Sequence, residues 1–243
     1  MLGLIGSGNM ARALARGWNE PVLATDSGSG RARRLVDEVG GEVAGSNAEL
    51  AQRAGAVLLC HKPYQLEEIA AETAEHAHHV ISVLGGVSLA QLQTAYPNAT
   101  VVSAIPNTPV EIRQGVTIIA DNDAAEDARA LFERVGHVFV VPERLMAVAT
   151  ATTGVTPAYV ALLLEAHIDA AIKRGLPAPL ATDLAVETFA GSAALVRARG
   201  GDTLAVRREV TSPGGSTARG LAALEAASVR SAFEDAMRAV TQS

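Results

Sequence analysis

In Leu4-Ile5-Gly6-Ser7-Gly8-Asn9-Met10-Ala11 an apolar strand, a glycine turn and a helix start follow one another directly, and this order is the strongest indication of the fold. In such a turn the first glycine permits a tight bend and the second lets the backbone approach a pyrophosphate. A small third residue, here Ala11, lets the helix pack closely on the strand. Amides at the helix start then face the phosphates. The stretch predicts a Rossmann-type dinucleotide turn, with an ordinary strand-to-helix turn as the alternative.

Short strand-like runs continue outward from this turn and alternate with helical patterns up to about residue 142. They are Met1 to Ile5, Val22 to Thr25, Ala56 to Leu59, Val80 to Val83, Val101 to Ala104, Val116 to Ile119 and Val138 to Val141. Alternation of this kind predicts a mostly parallel sheet, and continuously apolar strands indicate burial on both sheet faces. Capping-box spacings, Ser46 with Glu49 and Ser88 with Gln91, predict two of the helix starts.

After Pro142 the strand-like runs cease, and alanine, leucine and charged residues recur at helical spacing. We predict helices over 144–154, 157–174, 179–199, 202–210 and 215–240. Residues 180–196 carry apolar side chains on most faces, more than about 100 residues can bury alone. The predicted fold class is therefore an α/β Rossmann-like domain at 1–142 and an all-α dimerisation domain at 143–243.

Composition excludes several classes of protein. The 243 residues are 49% hydrophobic and carry a formal net charge of −6, which argues against nucleic-acid binding. The single cysteine, Cys60, lies in an apolar run, which fits a reducing cytoplasm. No charged leader or long uninterrupted apolar stretch is evident, so we expect no membrane span. His76, His78 and His79 lack supporting ligand spacing, and no metal is expected.

Asp26 follows the second strand, 20 residues after Gly6, where an acid accepts hydrogen bonds from the adenosine ribose hydroxyls. That position favours NADH, although Asp26 at a turn or helix cap is the alternative. The next polar residues can receive a 2′-phosphate, so the choice between NADH and NADPH stays open; they are Ser27, Ser29, Arg31 and Arg33.

His61, Lys62 and Pro63 follow the strand Ala56 to Leu59, at the sheet edge where open α/β folds bind ligands. Only two lysines occur in the chain, and the position of Lys62 favours a contact with a cofactor. A solvated loop charge is the alternative for Lys62. His61 by itself is typical of a structural or solvent-facing histidine.

A second anion-binding pattern opens the last long helix, at Thr211-Ser212-Pro213-Gly214-Gly215-Ser216-Thr217. Two glycines let successive amides converge, the helix dipole adds positive potential, and Ser212, Ser216 and Thr217 add hydroxyl donors. A small-carboxylate site and a plainly capped helix start are both consistent with this pattern.

Together these motifs resemble the pyrroline-5-carboxylate reductase family over nearly the full length. The resemblance rests on Gly6 to Met10, Asn47, Lys62-Pro63, Pro106-Asn107-Thr108-Pro109, Pro157-Ala158-Tyr159, Glu165, Asp169, Gly175 to Pro177, Thr211 to Thr217 and Leu224-Glu225. It implies NAD(P)H-dependent reduction of 1-pyrroline-5-carboxylate, a small imino acid, to L-proline. It also implies interlocked C-terminal helices of two chains, active sites between cofactor and helical domains, and larger rings of dimers in many members.

The resemblance assigns site residues as well. Ser212, Gly214, Gly215, Ser216 and Thr217 would hold the substrate carboxylate, with the Thr217 hydroxyl as the catalytic group near the imine nitrogen. The expected cofactor-binding residues are Gly6, Ser7, Gly8, Asn9, Met10, Asp26, Ser27, Asn47, Cys60, His61, Lys62, Pro63, Leu84, Gly85, Gly86 and Asn107.

The chain departs from the family pattern near the expected pocket, at His61, Ile105, Val155 and Thr156. Two alternatives therefore remain. One is a related imine reductase or β-hydroxyacid dehydrogenase, for which no convincing catalytic lysine is present. The other is a non-catalytic dinucleotide-binding dimer.

Overall fold

The computed structural model describes residues 1–241, apart from the side chain of Asp127, and divides into two compact units. The first is Met1–Pro157 and the second begins at Ala158. The sequence-based boundary between residues 142 and 143 stays a prediction.

An eight-stranded sheet forms the centre of the first unit, in the order β3-β2-β1-β4-β5-β6-β7-β8. The strands are β1 (Leu2–Ile5), β2 (Val22–Thr25), β3 (Gly41–Val43), β4 (Ala56–Leu59), β5 (His79–Ser82), β6 (Thr100–Pro106), β7 (Gly115–Ala120) and β8 (Gly136–Val141). All neighbouring strands are parallel except β6 and β7, where Ile105 lies opposite Ile118. The mostly parallel Rossmann-like sheet is confirmed.

Helices cover both faces of this sheet. They are α1 (Asn9–Trp18), α2 (Arg31–Val39), α3 (Asn47–Arg53), α4 (Leu66–Thr73), α5 (Leu89–Ala95), α6 (Ala125–Glu133) and α7 (Met146–Gly154), with short 3-10 turns at Pro63–Gln65, Thr108–Ile112 and Glu143–Leu145. One core cluster contains Trp18 and Phe132, and the other contains Leu50 and Tyr96. Burial on both faces explains why the central strands are uninterrupted apolar runs.

The two predicted capping boxes form to different degrees. Ser88 and Gln91 make the reciprocal pair of bonds at the start of α5. Ser46 accepts a hydrogen bond from the Glu49 amide, but the Glu49 carboxylate accepts from Gly45 instead of returning to the cap residue. Both positions nonetheless begin helices, as predicted.

The helices of the C-terminal part are α8 (Thr156–Ile172), α9 (Ala178–Ala198), α10 (Thr203–Glu209), α11 (Ser216–Ala226) and α12 (Val229–Thr241). The prediction of one helix over 215–240 is wrong, because Ser228 adopts a left-handed conformation with φ of 59° and separates α11 from α12. Among the described residues from Ala158 onward, only Ala181 and Ala185 are buried.

Candidate functional site

The glycine turn lies where β1 separates β2 from β4, the point at which the strand order reverses and α/β sheets bind ligands. Gly6 has φ of +93°, and a Cβ there would lie 2.7 Å from the backbone nitrogen of His61. A side chain at Gly6 is therefore excluded by both conformation and space. The Gly6 amide and the Ser7 hydroxyl both donate to the carbonyl of Thr25, at 3.2 and 2.9 Å, which fixes the turn on β2.

Gly8 differs from Gly6 in its surroundings. It has an ordinary φ of −77°, and a Cβ at Gly8 would meet nothing within 4 Å. No side chain of the described residues caps α1 at this N-terminal end, and its first turn contains no acidic residue. The amides that open α1, beginning with those of Asn9 and Met10, are thus available to an anion in the open space beside Gly8. This arrangement fits the pyrophosphate of a dinucleotide.

The carboxylate of Asp26 is engaged within its own loop. Oδ1 accepts from the Gly28 amide at 2.8 Å, and Oδ2 accepts from the Ser29 hydroxyl at 2.9 Å and from the Ala32 amide at 2.8 Å. Burial opposes ionisation, but the hydrogen bonds outweigh it and lower the pKa of Asp26. Asp26 therefore organises the β2–α2 turn, as the alternative interpretation held; its contact with a ribose stays a prediction.

Exposed polar groups surround this turn. Ser27 is exposed beside Asp26, and Arg31 and Arg33 are exposed at the start of α2. Within residues 1–241, neither arginine forms an ion pair with a described acidic side chain. These guanidinium groups are free to pair with a phosphate near the end of β2.

Asn47 is the first residue of α3 and lies beside the end of β2. Its Oδ1 accepts from the Thr25 hydroxyl at 2.7 Å, and its Nδ2 donates to Glu72 of α4 at 2.8 Å. Neither Thr25 nor Glu72 was predicted as a site residue. Thr25 is marked by its place at the end of a strand, whereas no sequence pattern singles out Glu72 among the glutamates of α4.

Residues 60–63 follow β4 at the carboxyl-terminal edge of the sheet, where the glycine turn also lies. The Cys60 amide donates to the Ile5 carbonyl at 2.8 Å. Burial raises the pKa of the Cys60 thiol to about 12, which disfavours the nucleophilic thiolate. Lys62 and Pro63 are exposed, and Lys62 forms no ion pair with the acidic side chains that the structure describes. The ammonium group of Lys62 is thus available to an anionic ligand.

His61 is half-buried. Its Nδ1 lies 2.9 Å from the Lys62 carbonyl, which requires the proton on that nitrogen. Burial lowers the pKa of His61. Nε2 is buried and has no hydrogen-bond partner among the described residues. A buried acceptor without a donor next to the glycine turn is consistent with a bound ligand that donates to it.

The remaining cofactor-site predictions fall at two further strand ends. After β5, Leu84 is buried, whereas Gly85 and Gly86 are exposed. A Cβ at Gly85 or Gly86 would meet no atom within 4 Å. After β6, the Asn107 side chain is 8% exposed and is used internally. Its Oδ1 accepts from Val116 at 2.7 Å and its Nδ2 donates to Thr153 at 3.2 Å. Asn107 thus fastens β7 and α7, and its contact with cofactor stays a prediction.

The predicted carboxylate site lies in the second unit, at the start of α11. Gly214 has φ of +67°, and its carbonyl accepts from Arg219 at 2.7 Å. The Gly215 amide donates to Ser212 at 3.1 Å, and a Cβ on Gly215 would lie only 2.4 Å from the Ser212 Oγ. A Cβ at position 215 would force the Ser212 hydroxyl to move, so glycine permits the present position of that side chain.

No side chain of the described residues caps α11, so the amides of Ser216 and Thr217 are open to a ligand. Ser216 is exposed and Thr217 is half-buried on the first turn. The alternative from the sequence was a helix start capped by a side chain, and the described residues form no such cap on α11. The amides and hydroxyls instead form a compact set of donors suited to a small carboxylate.

No group of histidine, cysteine, aspartate and glutamate residues in the described chain could hold a metal ion. The chemistry available at both positions is hydrogen bonding from amides, hydroxyls and cationic side chains. Such a set can bind and orient a phosphorylated cofactor and a small acid, but it supplies no redox group of its own.

Two known protein families match the two ends of the chain. The family model "Pyrroline-5-carboxylate reductase dimerisation" matches residues 143–243, and "NADP oxidoreductase coenzyme F420-dependent" matches residues 1–86. Pyrroline-5-carboxylate reductase from Synechocystis is 37% identical and covers 98% of this chain and 94% of its own length. The Thermus thermophilus enzyme of that name is 36% identical, with 99% and 96% covered.

Solved structures give the same picture. The Plasmodium falciparum pyrroline carboxylate reductase with NADP bound superposes with a TM-score of 0.86 at 27% identity, covering 99% of this chain and 95% of that one. A 3-hydroxyisobutyrate dehydrogenase from Mycobacterium tuberculosis reaches a TM-score of 0.53 at 14% identity, covering 72% and 66%, which is a likeness of fold alone.

Proposed function

The chain belongs to the pyrroline-5-carboxylate reductase family, and from that premise we propose that it reduces 1-pyrroline-5-carboxylate to L-proline with NADPH or NADH. The starts of two helices support this proposal independently of family membership. Two helices, α1 and α11, begin at a glycine with no capping side chain among the described residues. Each leaves backbone donors for an anion, one for a pyrophosphate and one for a carboxylate.

When bound, the reduced nicotinamide supplies the hydride that the imine carbon accepts. The residues that would hold the dinucleotide are those of the glycine turn, with Asn47, Lys62 and Arg31 near its other polar groups. The open space at Gly8 and the unpartnered Nε2 of His61 both fit such a ligand. The first unit thus contributes binding and orientation rather than acid–base chemistry.

The second unit would hold the substrate. Amides of Ser216 and Thr217 bind the carboxylate of the cyclic imine, and the Thr217 hydroxyl forms a hydrogen bond with the ring nitrogen. A protonated imine is already electrophilic, so the protein has only to position the ring and maintain the proton on nitrogen. This is why the proposal assigns no catalytic role to a histidine, carboxylate or metal.

The steady decrease of absorbance at the reduced-nicotinamide band tests the proposal. We expect turnover with 1-pyrroline-5-carboxylate, formation of one proline per dinucleotide oxidised, and no turnover with β-hydroxy acids in the reverse direction. Turnover of a hydroxy acid alone would select the dehydrogenase alternative. Dinucleotide binding without turnover of any imine would select the non-catalytic alternative.

We also propose that the second unit pairs with another copy of itself. Its apolar side chains are too exposed for a separate folded unit, with Leu162 at 64%, Val210 at 56% and Leu224 at 55% exposure. The stretch Glu143–Ile172 is long and apolar enough to cross a membrane by length and composition alone. It lies within the residues matched by the dimerisation family, and a second copy accounts for its exposed surface.

Light scattering at micromolar concentration measures this assembly. A mass of two chains supports the dimer, a larger even multiple supports the rings of dimers that the resemblance implies, and a mass of one chain contradicts both. A cytoplasmic location stays part of the proposal, supported by the presence of a single cysteine, Cys60, in the sequence.

A further inference from the structure

Hydrogen bonds through Asn47 connect Glu72 of α4 to Thr25 at the end of β2. The start of α3 does not need Asn47 for capping, because the Ser46 hydroxyl accepts from the Glu49 amide at 3.1 Å. The Asn47 amide is therefore free to serve another purpose. Its two hydrogen bonds, to Thr25 and to Glu72, fix the orientation of the Asn47 amide.

The chemistry of those two partners permits only one orientation of the Asn47 amide. A carboxylate accepts hydrogen bonds and cannot donate, so Glu72 must face the NH₂ group. The Thr25 hydroxyl then donates to Oδ1 on the other side at 2.7 Å. With both bonds made, Asn47 retains one N–H and one oxygen lone pair for a further partner.

The location of Asn47 indicates what that partner is. Its neighbour Thr25 receives the Gly6 amide and the Ser7 hydroxyl on its backbone carbonyl, at 3.2 and 2.9 Å. Thr25 thus joins the glycine turn to Asn47 through a single residue. A dinucleotide whose pyrophosphate lies at the glycine turn places its adenosine ribose beside the end of β2. A ribose hydroxyl both donates and accepts, which matches the donor and acceptor that Asn47 retains.

From this relay we infer that Glu72 is a positioning residue for the dinucleotide, fixing the Asn47 amide so that its free N–H and lone pair face the adenosine ribose. The inference rests on the proposed function, because it needs a dinucleotide at the glycine turn. Glu72 makes no contact with the reacting atoms. Its loss weakens cofactor binding and leaves the chemical step unchanged.

Dinucleotide titration by nicotinamide fluorescence, without imine, tests the inference in the whole protein. Glu72→Ala releases the amide to rotate, and we expect the Kd to rise roughly 3- to 10-fold, as one hydrogen bond implies. The value of kcat at saturating cofactor stays within about twofold. Glu72→Gln restores the wild-type Kd, because its amide oxygen still accepts from Asn47. Glu67→Ala, which removes another exposed glutamate of α4, is the matched control and leaves the Kd unchanged.

The Asn47→Ala background separates positioning from a general effect of charge. Glu72→Ala added to Asn47→Ala should cause no further loss, since the two residues act as one unit. The inference is overturned if Glu72→Ala binds like wild type, if Glu72→Gln is as weak as Glu72→Ala, or if the two losses add. A wild-type protein that binds no dinucleotide removes the proposed function itself, whereas wild-type binding with an unaffected Glu72→Ala removes this inference alone.

Discussion

Gly8→Ala separates ligand binding from folding at the glycine turn. The φ of −77° suits alanine, and the new methyl group would meet no protein atom within 4 Å. Alanine has less conformational freedom than glycine in the unfolded chain, which stabilises the folded protein by about 0.4–1 kcal/mol. Alanine is also a poorer N-cap residue than glycine, which costs a similar amount. The free energy of unfolding should change by less than about 1 kcal/mol, a shift of at most about 4 °C in Tm.

The same methyl group occupies the space through which a pyrophosphate reaches the first amides of α1. Loss of one charge-assisted hydrogen bond costs about 1.5–3 kcal/mol. At about 1.4 kcal/mol per tenfold, the Kd for NADPH or NADH should rise about 10- to 140-fold. Fluorescence titration gives the Kd and thermal unfolding gives the Tm on the same samples.

Gly55→Ala is the matched control, because Gly55 precedes β4 at the opposite edge of the sheet. A Cβ there would lie 3.9 Å from the Met1 carbonyl, an ordinary contact. Gly55→Ala should retain both Tm and Kd. Wild-type cofactor affinity in a folded Gly8→Ala protein would refute the assignment of the open space at Gly8 to a pyrophosphate.

Gly6→Ala should do the reverse of Gly8→Ala and destabilise the fold by about 1–3 kcal/mol, seen as a lower Tm without ligand, because φ is +93° and backbone atoms lie within 3 Å of the new Cβ; an unchanged Tm would contradict this. Thr217→Ala should lower kcat/KM roughly 10- to 150-fold, with Thr217→Ser close to wild type, and equal rates would remove Thr217 from the site. Cys60 has a pKa raised to about 12 by burial, so iodoacetamide at pH 8 should label it only after denaturation; rapid labelling of folded protein would show the thiol to be accessible. Two arginines of α1 hold the pKa of Glu38 at about 2, below its ordinary 4.5, so this ion pair stabilises the fold above pH 4.5 and its contribution is lost as the pH falls toward 2. Glu38→Gln should flatten the fall of Tm between those pH values, and an identical pH profile would contradict that reasoning.

The glycine turn and the sheet were predictable because their signals are local and redundant. Gly6 and Gly8 stand between an apolar strand and a helix, and each central strand is an uninterrupted apolar run. The short strand Gly41–Val43 was missed because its three residues include a charge and only one apolar side chain. Its pairing with β2 supplies the structure that its own sequence does not indicate.

The break between α11 and α12 could not be predicted from the usual helix-stop residues. Neither glycine nor proline occurs between Leu224 and Val229, and Ser228 adopts the left-handed conformation that a glycine would mark. The antiparallel direction of β7 was likewise not predicted. The connection between β6 and β7 contains only the 3-10 turn Thr108–Ile112 and no crossover helix, which fits the antiparallel pairing.

Polar site residues were predicted less completely than the fold because one side chain can serve two purposes. Asp26 and Asn107 occupy strand ends, as a ligand-binding residue would, yet their bonds organise the surrounding backbone. Glu72 lies outside every recognisable motif. Its connection to Asn47 exists only because α3 and α4 are neighbours in the fold.

A crystal structure of the protein with dinucleotide and proline would show whether backbone donors at the uncapped starts of α1 and α11 hold the two ligands. We expect dinucleotide phosphate oxygens within hydrogen-bond distance of the amides of Asn9 and Met10, and the proline carboxylate within that distance of the amides of Ser216 and Thr217. Phosphates bound elsewhere, or a proline carboxylate away from Gly215 and Thr217, would contradict it.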